Sequence, residues 1–285
     1  MSSKDGICSD GVGAADSPAP NLCGFDNPPL PDWVLFHVPH DSTFIPPSER
    51  SKLLLNEEEL KSELLHMTDH WTFDLFVHGI PKERVFYSPV SRLVVDVERY
   101  EEDALGIMAS RGMGAVYDRT SDGKQLRPPL SAGRREELMN AWYFPHHHGM
   151  TERIQQVLDN HGHALLIDAH SFPSQPLPYE LDQRQDRPDI CIGTDEFHTP
   201  PQLERALIDA FGSTGWTVKL NAPFAGAIVP MHHYKKRNLA AVMIEVNRAL
   251  YIDEKTRERK PGFTTVASTI RQHVVSAVSR LNMGN

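Results

Sequence analysis

The sequence predicts an α/β fold in which a mostly parallel sheet carries helices on both faces. Three observations predict it. Short apolar runs of strand character recur along the chain: WVLFHVP, ALLIDAHS, DICIGT and LAAVMIEVN. Between them lie segments with apolar residues three and four apart, which is helical spacing. Strand and helix alternate, and that order builds parallel sheets covered by helices. A chain of 285 residues, 40% hydrophobic and 24% charged, can bury the core such a sheet needs.

Residues 1–30 are rich in Gly, Ser, Asp and Pro and read as a mobile tail, with residues 31–285 as a single domain. WVLFHVP is a buried strand, and Pro46 and Pro47 stop any helix in the loop after it. The stretch from Asn56 to Val77 places Leu60, Leu64, Leu65, Met67 and Phe73–Phe76 at helical spacing, with glutamates at its start as the helix dipole favours. It reads as helix with a break around Thr68–Trp71. VFYSPVSRLVVDVERY reads as one or two buried strands. Residues 101–130, interrupted by Gly and Pro, read as a loop or lid excursion. Helix follows on both sides of Pro145, and Gly162 stops the second. Then come the strand ALLIDAHS, a loop over 172–188, the strand DICIGT and a helix opened by prolines in PPQLERALIDAFGSTGW. WTVKLNAPF is a strand into a loop, LAAVMIEVNRALYI a strand into a turn, and TTVASTIRQHVVSAVSRL an amphipathic helix.

A net charge of −9 and the lack of a basic stripe argue against a nucleic-acid partner. No run approaches the ~18 apolar residues of a membrane span, and the first residues lack the apolar core of a secretory signal. Cys8, Cys23 and Cys191 are scattered and odd in number, which suits a reduced cytoplasm.

The candidate chemistry starts from two histidines. His40 and His170 each follow a strand-like run, and in open α/β sheets ligands gather at the carboxyl ends of strands. The pair reads either as zinc ligands or as loop caps. HMTDH adds His66, Asp69 and His70; it lacks the glutamate of an HExxH helix, so Asp69 as a single carboxylate joined to His40 and His170 is the preferred reading. Asp168 shares a strand face with His170, and either orients its imidazole or faces a solvated loop. Of the three histidines at 146–148, His147 is the one read as reaching a substrate. Arg92 and Arg99 flank LVVDVE, and either grip a carboxylate or pair with Asp96 or Glu98. Glu245 lies near the end of a buried run, where a raised pKa suits a general base. Asn247 and Arg248 follow it and are read as holding polar substrate groups.

The stretches VPHDSTFIP, MTDHWTFDLF, VSRLVVDVERY, YFPHH, LLIDAHS and IEVNRALY occur in an order that resembles the N-formylglutamate amidohydrolase family, over residues 33–275. The resemblance implies a mixed, mostly parallel sheet sandwiched between helices, of zinc carboxypeptidase or phosphorylase/hydrolase-like architecture, with one Zn2+ per chain. It implies hydrolysis of an N-acyl acidic amino acid such as N-formylglutamate, a small-molecule partner. By position it implies zinc ligands His40, Asp69 and His170, with Asp41 as the alternative to Asp69. Glu245 would be the base, Arg92 a carboxylate clamp, and Arg99, His147, Asn247 and Arg248 pocket residues. The chain departs from the pattern in three places. It has no HxxE, since Thr43 stands three after His40; Glu98 stands where the family usually has asparagine; and His146 stands where it usually has tyrosine. A carboxypeptidase or amidase for small peptides, or a binding protein of the same fold, are the alternative readings.

Overall fold

The structure, a computed structural model, describes residues 29–281. The predicted tail lies almost wholly outside them. Six strands form one sheet: β1 (Val34–Val38), β2 (Val85–Tyr87), β3 (Ala164–Phe172), β4 (Ile190–Gly193), β5 (Val218–Leu220) and β6 (Leu239–Asn247), in the order β2-β1-β3-β6-β4-β5. The pairs β2–β1, β1–β3 and β3–β6 are parallel, while β4 runs antiparallel to β6 and carries β5 parallel to itself. This is the mixed, mostly parallel sheet of the expectation.

The helices are α1 (Pro47–Arg50), α2 (Glu57–Met67), α3 (Thr72–Phe76), α4 (Ala132–Leu138), α5 (Phe144–His161), α6 (Pro201–Gly212) and α7 (Phe263–Val278). They cover the sheet unequally, and the period-2 alternation of side chains explains how. On one face Val34, Phe36, Val38, Leu165, Ile167, Ala240, Val242 and Ile244 pack against α3, α6 and α7. On the other face Leu35, Leu166 and Ala241 lie beneath Met150, Ile154 and Val157 of α5. Further along that second face, toward the carboxyl ends, the same alternation presents His37, Asp168, His170, Glu245 and Asn247, all buried. Strands that look uniformly apolar are therefore half polar where α5 no longer covers them. No helix among the described residues is long and apolar enough to cross a membrane.

The predicted break in the 56–77 helix is real. Asn56 and Glu59 form a capping box at the start of α2. After Met67 the chain turns through Trp71, in the left-handed region at φ 68°, before α3 begins. The Asp69 amide donates to the His40 carbonyl at 2.9 Å, tying this break to the end of β1.

Two segments differ from the expectation. Of VFYSPVSRLVVDVERY only β2 is strand; Val90, Leu93, Val94, Val95 and Val97 are buried in turns. The amides of Ser91, Val94 and Asp96 bond separate carbonyls of Phe44, Ser91 and Ala115, so no single ladder forms. Residues 101–130 are irregular, as expected, but they are packed: Met113, Tyr117 and Leu126 are fully buried with Met67 and Leu93. Glu63 of α2 accepts hydrogen bonds from the Ser121 amide and hydroxyl, pinning the excursion down.

Candidate active site

His40 just beyond β1, Asp69 in the α2–α3 break, Glu98 in the buried turns, His170 in β3 and Glu245 in β6 converge at the carboxyl edge of the sheet. The His40 and His170 rings are 5.0 Å apart. Each places Nε2 on an aspartate: His40 on Asp96 Oδ1 at 2.9 Å and His170 on Asp168 Oδ1 at 2.9 Å. A proton on Nε2, assigned from its partner, leaves Nδ1 of His40 as the lone-pair nitrogen, while Nδ1 of His170 lies at hydrogen-bond distance from Asp69 and donates to it when the ring is protonated. Nδ1 of His40 is buried with no hydrogen-bond partner. Asp69 Oδ2 lies 3.8 Å from His40 Nδ1 and 3.1 Å from His170 Nδ1. Glu98 Oε2 lies 3.6 Å from His40 Nδ1, and Oε1 lies 3.1 Å from His170 Nε2. Donor atoms of His40, Glu98 and His170 all fall within 4.8 Å of one another. Two imidazoles facing two carboxylates, one nitrogen orphaned, form a donor set that fits a divalent cation such as zinc.

The carboxylates behind the histidines are themselves held. Asp69 accepts from Arg248 Nη2 at 2.9 Å and from the Ser171 amide at 3.2 Å. Burial favours its neutral form, but the hydrogen bond of His170, the nearby His40 ring and the Arg248 charge outweigh this and keep it well below the carboxylate range. Asp96 accepts from Arg92 Nη2 at 2.7 Å and from the Tyr117 hydroxyl. Burial again opposes, and the charges of Arg92 and His40 hold it ionised. Asp168 accepts from His37 Nδ1 at 2.8 Å, and His37 Nε2 meets His146 Nε2 at 2.9 Å. His170 is pushed well above its usual pKa: burial lowers it, but Glu98, Asp168 and Asp69 prevail. The field at this point favours a positive charge.

Glu245 pairs in register with His170 on one side and Cys191 on the other. Its Oε2 is buried without a partner. Burial pushes its carboxyl up to about 8; His170 opposes this, while Asp69 and Glu98 add to it.

The remaining predicted site residues sort by how their polar atoms are used. Arg92 directs Nε and Nη2 to Asp96 and Nε to Tyr117 as well. Arg248 uses Nε on the Ser171 hydroxyl, Nη1 on the His66 carbonyl and Nη2 on Asp69. Asn247 donates to the Pro188 carbonyl and accepts from the Ala249 amide. His147 Nε2 meets the Val97 carbonyl at 2.7 Å, and its ring stacks beside Tyr143. Asp41 has both oxygens on the amides of Trp71 and Phe73, at 2.8 and 2.9 Å. Arg99 is held more loosely: its Nε lies 3.5 Å from Asp96 Oδ2, its side chain is 25% exposed, and among the described residues its terminal nitrogens make no hydrogen bond. Sequence reasoning did not reach Tyr117, His37 or the closeness of Glu98. Asp96 entered it only as a salt-bridge partner, although its place four after Arg92 and two before Glu98 was a usable signal.

The N-formylglutamate amidohydrolase family model matches residues 33–252. The N-formylglutamate deformylase of Pseudomonas aeruginosa is 26% identical over 229 residues, covering 78% of this chain and 83% of that protein. The enzyme of the same name from Pseudomonas putida is 25% identical over 229 residues, covering 78% and 82%. The crystal structure of N-formylglutamate amidohydrolase from Ralstonia eutropha shares the fold at TM-score 0.74 and 20% identity, over 87% of this chain and 93% of that one. A gene product of Agrobacterium tumefaciens does so at 0.64 and 20%, over 87% and 90%. With the family model spanning most of its length and the sheet shared with these structures, the chain belongs to the N-formylglutamate amidohydrolase family, enzymes that hydrolyse an amide bond.

Proposed function

We propose that this protein is a zinc-dependent amidohydrolase of N-formyl-type amino acids, for which N-formylglutamate, named for its relatives, is the reference substrate. The observation that carries the reading is the placement of Glu245 beside His170, with the orphaned His40 Nδ1 facing Asp69 and Glu98. His40, His170 and Asp69 would hold one ion per chain. Asp69 is favoured as the carboxylate because Arg248 and Ser171 fix it, and its Oδ2 faces Nδ1 of both histidines. Zinc in such a set acidifies water and polarises an amide oxygen.

The chain's own groups do the rest. Glu245 takes a proton from the attacking water at a carboxylate oxygen and hands it to the leaving amine nitrogen. Burial, which raises its pKa, suits it to both transfers. Asp96 and Asp168 keep the imidazoles turned with Nδ1 toward the site. Arg99 offers its terminal nitrogens to the substrate carboxylate. The C–N bond breaks, water supplies the oxygen, and the products are formate and the free amino acid. The cytoplasm, a reduced compartment, suits the buried free thiol of Cys191.

Metal analysis of the purified protein, with formate release assayed on N-formyl amino acids beside acetate and succinate release from the matching N-acetyl and N-succinyl compounds, tests this reading. Zinc bound to each chain and release from the formyl compounds are expected. Protein that holds no zinc tightly and gains no activity when zinc is supplied would refute it.

A further inference from the structure

The three arginines near the site are unequally available. Tyr179 senses all of them: burial pushes its phenol up to about 12, while the charges of Arg92, Arg99 and Arg248 pull it down. Arg92 and Arg248 are buried and committed to Asp96, Tyr117, Asp69, Ser171 and the His66 carbonyl. Among the described residues Arg99, whose Nε lies 3.5 Å from Asp96 Oδ2, keeps both terminal nitrogens without a hydrogen bond, whereas Arg92 keeps only Nη1 and Arg248 neither. One guanidinium is therefore open to a substrate anion.

Its neighbour in sequence is Glu98. This carboxylate stands 3.1 Å from His170 Nε2 and 3.6 Å from His40 Nδ1. Its side chain is 21% exposed, whereas Asp69, on the inner side of the same histidines, is 4% exposed. Glu98 is thus the more exposed of the two carboxylates that lie beside the histidine pair. The charges nearly balance before any substrate arrives. Asp69, Asp96, Glu98 and Asp168 face Arg92, Arg99, Arg248 and the divalent ion of the proposed function, while burial favours the neutral form of Glu245. A substrate carboxylate at Arg99 would leave a second one with Arg248 fully used, Arg92 turned to Asp96 with only Nη1 free, and Glu98 close by.

We propose that Glu98 is a specificity-determining residue, and that this site takes N-formyl amino acids with a single carboxylate, such as N-formylglutamine, in preference to the dicarboxylate N-formylglutamate. The proposal rests on the amidohydrolase reading and narrows its substrate class. Two like charges about 6 Å apart at an effective dielectric of about 20 repel by roughly a hundredfold in binding, and the partial exposure of Glu98 reduces this toward tenfold.

N-formyl-L-glutamine and N-formyl-L-glutamate have the same shape and differ by one charge. The test compares kcat/KM for the two on zinc-loaded parent and Glu98→Gln proteins, with the zinc content of each measured. Glu98→Asn, a shorter amide, is the second variant should the first fold poorly. The parent is expected to favour the glutamine compound. The variants are expected to keep their zinc and to move the ratio toward glutamate by about tenfold. A parent that prefers the glutamate compound, or a ratio unmoved by either substitution, overturns the proposal. Loss of zinc from the variants overturns it too, because Glu98 would then be a ligand. Hydrolysis of neither compound by zinc-loaded parent would instead bring down the amidohydrolase reading, and the proposal with it.

Discussion

His170 and Glu245 are register partners in the parallel ladder between β3 and β6, so their side chains leave the sheet on the same face, side by side. That pairing sets a candidate metal ligand against a candidate base with no loop between them. Both sit on the two central strands of the sheet, which suits groups that must keep their distance through a reaction.

Glu245→Gln should lower kcat by about 10²–10⁴ while leaving the zinc content at that of the parent, because the amide keeps the shape and loses the proton acceptor. Metal analysis beside steady-state kinetics checks it. The pH profile adds a second reading. Burial raises the Glu245 pKa, so at low pH the group is protonated and cannot accept a proton. The sign follows: kcat/KM rises with pH as that proton leaves. The midpoint lies at or below about 8, since a bound cation lowers it. The acid limb should vanish in Glu245→Gln.

Asp168→Asn removes the charge that fixes the Nε2–H form of His170. A loss of zinc affinity of about 10–100-fold is expected, as for other carboxylates that orient a ligating imidazole. Competition with a chromophoric chelator measures it, and an unchanged affinity would show that Asp168 does not support the ligand.

Arg92→Ala should act through the scaffold. Arg92 is committed to Asp96, which in turn holds His40 Nε2. Removing it takes away the buried carboxylate's closest cation and leaves Arg99 at 3.5 Å, so a loss of up to about 3–5 kcal/mol is expected in denaturant unfolding, with weaker zinc binding. A normal unfolding midpoint with KM raised only for dicarboxylate substrates would instead make Arg92 a direct clamp.

Arg248→Met tests the inner support of Asp69. The buried carboxylate loses its guanidinium, and a fall of roughly 6–20 °C in Tm is expected for a domain of this size. Thermal unfolding of zinc-loaded protein gives the number directly.

Much of this arrangement was legible in the sequence, and the reasons are local. The runs ending near His40, His170 and Asn247 are bounded by turn residues, and their period-2 alternation shows which side chains share a face. The acidic start of α2 and the break before Thr72 were readable from helical spacing, while the capping box at Asn56 emerged only in the structure. What could not be read is what strand order decides. Nothing in the linear chain says that β6 lies beside β3, and therefore that Glu245 flanks His170. The stretch around Leu93–Val97 misleads because its composition is that of a strand, while Ser91, Arg92 and Asp96 bind it into turns. Those turns carry Glu98 to the histidines, which no spacing along the chain announces.

The central claim is that amide hydrolysis at this edge of the sheet depends on zinc held by His40 and His170. The most direct measurement depletes the protein of metal with a chelator, returns Zn2+ in steps, and follows formate release from N-formyl-L-glutamine and N-formyl-L-glutamate. The account predicts no release at the start and a linear recovery that stops at one zinc per chain, absent in His170→Ala. Full release from the metal-depleted protein, or recovery by His170→Ala equal to that of the parent, would contradict it.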